Sequence, residues 1–153
     1  MPEVPMASVS RYDSGVSAES VPHSEMRFRV RYAETDQMGV VYHANYLIWM
    51  EIARTELCRM RGVRYRDIER VDGLVMVVAE AQCRYHSAAR YDDEVLARGF
   101  LKHAHPRMIT FGYEILNAET SELLASGETK HIFLKDGKPI KVPAKYRELF
   151  GIA

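Results

Sequence analysis

The chain has 153 residues, 47% hydrophobic and 27% charged, enough for one domain with a sizeable core and too few for two. Its 21 basic residues balance its 21 acidic ones, so no global field draws it to nucleic acid or to an acidic membrane surface. Cys58 and Cys83 make no disulfide framework and fit no zinc spacing, and with neither an apolar run of ~18 residues nor a signal peptide the expected compartment is the cytoplasm.

Residues 1–24 are rich in Ser, Pro and Val without a sustained period, and they read as a flexible tail before a domain over 25–153. Met26, Phe28, Val30 and Tyr32 alternate with Arg27, Arg29 and Arg31, the period of a half-buried strand. A loop from Ala33 to Tyr42 follows, with Gly39 supplying a backbone turn that other residues resist. The next segment predicts a helix from near Ala44 to Arg61, with Tyr46, Met50, Ala53, Leu57 and Met60 as one apolar stripe and Gly62 at its end. After a short helical or irregular piece through 66–70, Asp72-Gly73 marks a turn.

From there the pattern is that of strands. Leu74 to Val78 is continuously apolar, and Ala79, Ala81, Cys83 and Tyr85 then alternate with Glu80, Gln82, Arg84 and His86. Segments 94–102, 108–116 and 123–134 read as three more strands, punctuated at Asp92-Asp93, His105-Pro106, 117–121 and Asp136-Gly137. A short helix is expected over 144–150, after Pro143. One long helix and five strands with short connections imply an α+β domain, its helix lying across a curved antiparallel sheet.

The segment Tyr32 to Glu56 carries the chemistry. Asp36 stands in the glycine-containing loop just before the long helix, with His43 and Asn45 close by. A helix start offers unpaired N–H groups and a partial positive charge. A carboxylate aimed there is a base or nucleophile beside a ready oxyanion site, suited to carbonyl chemistry. The structural alternative is an aspartate closing an Asx turn or capping the helix. Asn45 reads as a helix cap first and a water or substrate contact second. Glu51 is the competing carboxylate, although Arg54, three residues on, is placed to pair with it. The six histidines show no metal-ligand spacing, so no metal is expected, and no glycine fingerprint of a nucleotide fold is present.

Tyr32-Ala-Glu-Thr-Asp36, Gly39-Val-Val-Tyr-His43-Ala-Asn-Tyr46, Ala53-Arg-Thr-Glu56 and Tyr85-His-Ser-Ala-Ala-Arg-Tyr-Asp-Asp93 resemble the hotdog-fold acyl-CoA thioesterases. The likeness is to the 4-hydroxybenzoyl-CoA thioesterase family and its Tol–Pal-associated branch, over about 26–141. It implies a five-stranded curved antiparallel sheet wrapped around one long helix. It implies that Asp36 carries catalysis, that His43 matches the family histidine and supplies near its backbone N–H the carbonyl-polarising donor, and that Tyr32 matches an active-site tyrosine. Asn45, Tyr46, Trp49 and Glu51 then fall at the substrate pocket, Trp49 near the dimer interface or acyl pocket. Lys102, His105 and Arg107, with His103, give one hairpin the positive charge to meet coenzyme A phosphates, the bland alternative being a solvated turn. The resemblance implies hydrolysis of an acyl-CoA or acyl-carrier-protein thioester by a homodimer or homotetramer. Coenzyme A enters as part of the substrate and no separate cofactor is required. Competing readings are a hotdog dehydratase or hydratase using His43 and Glu51, and a non-catalytic acyl-CoA binding protein.

Overall fold

The computed structural model describes residues 17–152. In chain order the elements are β1 (His23–Arg29), α1 (Asn45–Met60), α2 (Tyr65–Arg70), β2 (Leu74–Tyr85), β3 (Glu94–His105), β4 (Met108–Asn117), β5 (Leu123–Lys135), β6 (Lys138–Ile140) and α3 (Ala144–Arg147). All pairings are antiparallel, and the sheet runs β1-β3-β4-β5-β2. The five expected strands are present; a short sixth, β6, folds back on β5 through Leu134↔Pro139. Among the described residues no helix is long and apolar enough to cross a membrane.

The helix packs on β1, β3 and β4, burying Tyr46, Trp49, Met50, Ala53 and Leu57 against Ile109, Phe111, Tyr113 and Ile115. Close approach is possible because Gly99 lies beneath it: a Cβ there would sit 3.0 Å from the backbone C and O of Ala53. Ser24, fully buried, fastens the crossing by donating to Ala53 O at 2.7 Å and accepting from Gly99 N at 3.2 Å.

Several expectations are corrected. Residues 1–16 of the expected tail lie outside the described residues, but 17–24 belong to the domain: Ala18 is fully buried and its N–H donates to Glu114. Met60 is exposed rather than part of the stripe; the chain leaves the helix there, and Val63 is buried instead. Tyr32 does not continue the buried face of β1, because a 3-10 turn over Tyr32–Glu34 ends the alternation and leaves it 78% exposed. In β2 the expected alternation is broken by a register shift between Val78 and Glu80. Residues 78–82 are then exposed on both faces of the single chain. Cys58 is buried and Cys83 half-buried, both as free thiols.

Candidate active site

The loop between β1 and α1 is built around Glu34. Its carboxylate accepts from Arg31 N at 2.8 Å and from Trp49 Nε1 at 2.8 Å. Its carbonyl accepts from Tyr42 N at 2.9 Å and Asn45 Nδ2 at 2.8 Å. Burial alone would raise the Glu34 carboxyl, but the Arg31 N–H, the Trp49 indole and the Arg31 guanidinium outweigh it and hold it below the usual carboxylate range. Asn45 and Trp49, expected at the substrate pocket, thus spend their polar groups on fixing this loop to the helix. Asn45 is the first helical residue, and no side chain caps the helix.

Asp36 sits on the arm this arrangement holds out. Thr35 bridges Val41, Asp36 N donates to Val40 O at 2.8 Å, and Gly39 N donates back to Asp36 O at 3.0 Å. Gly39 has φ +77°, a conformation glycine adopts freely. Met38 N donates to Asp36 Oδ1 at 2.8 Å, an Asx turn that fixes the side chain, while Oδ2 accepts no hydrogen bond among the described residues. Two further ties hold the arm against the loop after β2: Val41 N to Ala89 O at 2.9 Å, and Ala89 N to the Tyr46 hydroxyl at 3.1 Å.

Between these segments lies a cleft of about 330 Å³ that brings together Asp36, His43, Tyr46, Tyr85 and His86, with Met38, Val40 and Val41 as its apolar wall. Tyr85 donates to His43 O at 2.9 Å and sets the helix start in place. The N–H groups of His43 and Ala44 make no hydrogen bond among the described residues, which leaves two donors at the head of α1. Burial pushes the Tyr85 phenol up to about 12 and raises that of Tyr46, so both stay protonated near neutrality. His86, its Nε2 2.8 Å from Ser126 Oγ, is lowered by burial and by Arg84. Sequence reading singled out neither Tyr85 nor His86 as a site residue; their signals were the end of an alternating run and their place at the head of the Tyr85–Asp93 stretch that carries part of the resemblance.

Other candidates lie elsewhere in the chain. Tyr32 packs edge-on against Tyr91 at 5.7 Å and does not line the cleft. Glu51 faces a separate depression with Met26, Ile48 and Arg59. The expected Glu51–Arg54 pair does not form: Arg54 is buried and donates to Tyr113 OH at 3.2 Å. Tyr113 OH bonds Thr129 Oγ1, which lies 2.8 Å from His131 Nε2. Burial, helped by Arg54, pushes His131 down to about 3. Lys130 lies on the opposite face, as its parity predicts, and pairs with Glu80 at 3.2 Å. Lys102 is paired with Glu128 at 2.8 Å, while His105 and Arg107 are exposed at the β3–β4 hairpin. Among the described residues no group of three or more His, Cys, Asp or Glu is placed to hold a metal ion.

Residues 38–124 match the thioesterase superfamily. YneP of Bacillus subtilis, provisionally named an acyl-CoA thioesterase, is 35% identical over 127 residues, covering 83% of this chain and 89% of that protein. The acyl-CoA thioester hydrolase YbgC of Escherichia coli is 33% identical over 95 residues, covering 62% of this chain and 70% of YbgC. A crystal structure of DHNA-CoA thioesterase from Staphylococcus aureus superposes with a TM-score of 0.79 at 31% identity, covering 84% of this chain and 89% of that one. The loop, the helix laid across an antiparallel sheet and these relatives agree: the chain belongs to the thioesterase superfamily, the thioester hydrolases of the hotdog fold.

Proposed function

We propose that the protein hydrolyses an acyl-CoA thioester to the free acid and coenzyme A, with Asp36 as the catalytic carboxylate. The observation that carries this reading is the shared cleft, in which Asp36 and the head of α1 face one space. A thiolate with a pKa of roughly 8.5 leaves with little protonation, so the site needs no strong acid. It needs an activated water or an attacking carboxylate, and donors for the oxyanion. Asp36 supplies the first as base or nucleophile, and the N–H groups of His43 and Ala44 supply the second. The His43 ring, 4.5 Å from the Tyr42 ring, orders the rim of the cleft. The dehydratase alternative asks His43 and Glu51 to act on one substrate, and within one chain they line different cavities.

The active unit in this reading is a homodimer joined through β2, which among the described residues has a neighbour on one side only and exposes Val78 and Tyr85. Tyr32, outside its own cleft, enters the reaction only at a partner's site. His105 and Arg107 are the hairpin cations left to meet coenzyme A phosphates. The compartment is cytosolic, in keeping with two free cysteines.

The test is thiol release from acyl-CoAs running from acetyl through palmitoyl to benzoyl and 1,4-dihydroxy-2-naphthoyl, the aromatic arm following the Staphylococcus aureus relative. Asp36→Asn is expected to lower kcat by about 10²–10⁴ while leaving the circular dichroism spectrum unchanged. A single turnover in ¹⁸O water then tests the nucleophile role: label retained in Asp36 marks an anhydride opened by water at the aspartyl carbon, whereas label only in the product acid places water attack at the acyl carbon, with or without an anhydride before it. Undiminished turnover by Asp36→Asn overturns the assignment.

A further inference from the structure

Residues 59–66 carry four arginines, Arg59, Arg61, Arg64 and Arg66, and no acid, in a chain of zero net charge. Nothing in the catalytic reading uses them. Three of them, Arg59, Arg64 and Arg66, line one cleft of about 440 Å³ together with Thr55 and Tyr65. Arg64 and Arg66 make no ion pair among the described residues, whereas Arg59 is held by Glu56 at 2.5 Å. Behind Tyr65 stands a further cation: the Arg54 guanidinium carbon is 6.0 Å from the Tyr65 ring centroid. Arg54 is 8% exposed, and among the described residues its Nε has no hydrogen-bond partner and no carboxylate pairs with it. A buried guanidinium without an acid is costly, and an anion in the adjoining cleft would offset that cost.

We propose that this cleft is a binding site for a phosphate-bearing small molecule with two or more negative charges. Planar guanidinium forks match phosphate oxygens bidentately, and Thr55 brings a hydroxyl of the kind phosphate esters accept to the same lining. The site is separate from the catalytic cleft. Thr55 lies ten residues along α1 from Asn45, about 15 Å at 1.5 Å per residue. The phosphate has two possible sources, the diphosphate and ribose phosphate of a coenzyme A thioester, or a free phosphorylated ligand.

Inorganic diphosphate titrated into the full chain by calorimetry tests the site without reference to catalysis. Saturable binding is expected, weakened at least about tenfold in Arg64→Gln/Arg66→Gln and changed less than about twofold in Arg27→Gln/Arg70→Gln, which removes the same charge from exposed positions outside the cleft. No saturable binding, or equal loss in both double variants, overturns the proposal. The source is read from kinetics, an arm that rests on the thioesterase reading. If the phosphates are those of coenzyme A, Arg64→Gln/Arg66→Gln raises KM for acyl-CoA at constant kcat and leaves turnover of the phosphate-free N-acetylcysteamine thioester unchanged. If they belong to a free ligand, diphosphate binding is lost while both KM values stand.

Discussion

Asp36 accepts the hydrogen bond that a merely structural aspartate would accept, from Met38 N to its Oδ1 at 2.8 Å, and that bond fixes its carboxylate at a position lining the cleft. The residue that fixes the whole loop is Glu34, whose carboxylate is buried and satisfied by the Arg31 N–H and the Trp49 indole. Glu34→Gln offers one acceptor oxygen where two donors converge, so one buried donor loses its partner. The expected cost is about 1–3 kcal/mol at neutral pH, read from urea unfolding. Because the folded carboxyl is held below its ordinary value of 4.5, its contribution is present above 4.5 and fades as pH falls through the folded pKa. The deficit of Glu34→Gln against the parent therefore narrows below pH 4.5. A deficit that stays constant down to pH 3 would show that the charge of Glu34 adds nothing.

At the scale of elements, the crossing of α1 over β3 depends on Gly99 having no side chain. Gly99→Ala puts a methyl 3.0 Å from Ala53 backbone atoms and 3.1 Å from its Cβ, so the helix itself must shift. The expected loss is about 1–3 kcal/mol. Since the clash is with backbone, Gly99→Ala/Ala53→Gly recovers little of it, and full rescue in denaturant unfolding would contradict this packing. Elements whose signal is local were legible in the sequence: the α1 stripe up to Leu57, and β3, β4 and β5 between their turns. The three residues of β6 carry no period, and only pairing with β5 makes them a strand. The start of β1 was obscured because Ser24 reads as a tail residue until Ala53 and Gly99 surround it. Asp36, Gly39 and His43 were readable because they are contiguous. Tyr85 reaches His43 across 42 residues, and Arg54 forsakes the nearby Glu51 for Tyr113, 59 residues on; neither choice is written in local spacing.

For the whole molecule, the open question of assembly turns on β2. It is twelve residues long, paired on one side only among the described residues, and exposes Val75, Val78 and Tyr85 at 43%, 51% and 47%. Long edge strands with exposed apolar side chains invite pairing with another chain, and a two-fold axis lets the same strand serve both copies. Val78→Lys separates assembly from folding. Val78 is half exposed in the single chain, so lysine there is expected to change monomer stability by only about 0.5 kcal/mol. Across a two-fold pairing it brings two like charges into an apolar contact. In light scattering after size exclusion the parent is expected at the mass of a dimer or tetramer, and Val78→Lys at that of a monomer with an unchanged circular dichroism spectrum. Tyr85, on the same strand, anchors His43 through its carbonyl, so dissociation should also lower kcat for the acyl-CoA. A Val78→Lys protein that keeps the parent's mass at micromolar concentration would remove β2 from the interface, and the apolar edge would then need another cover.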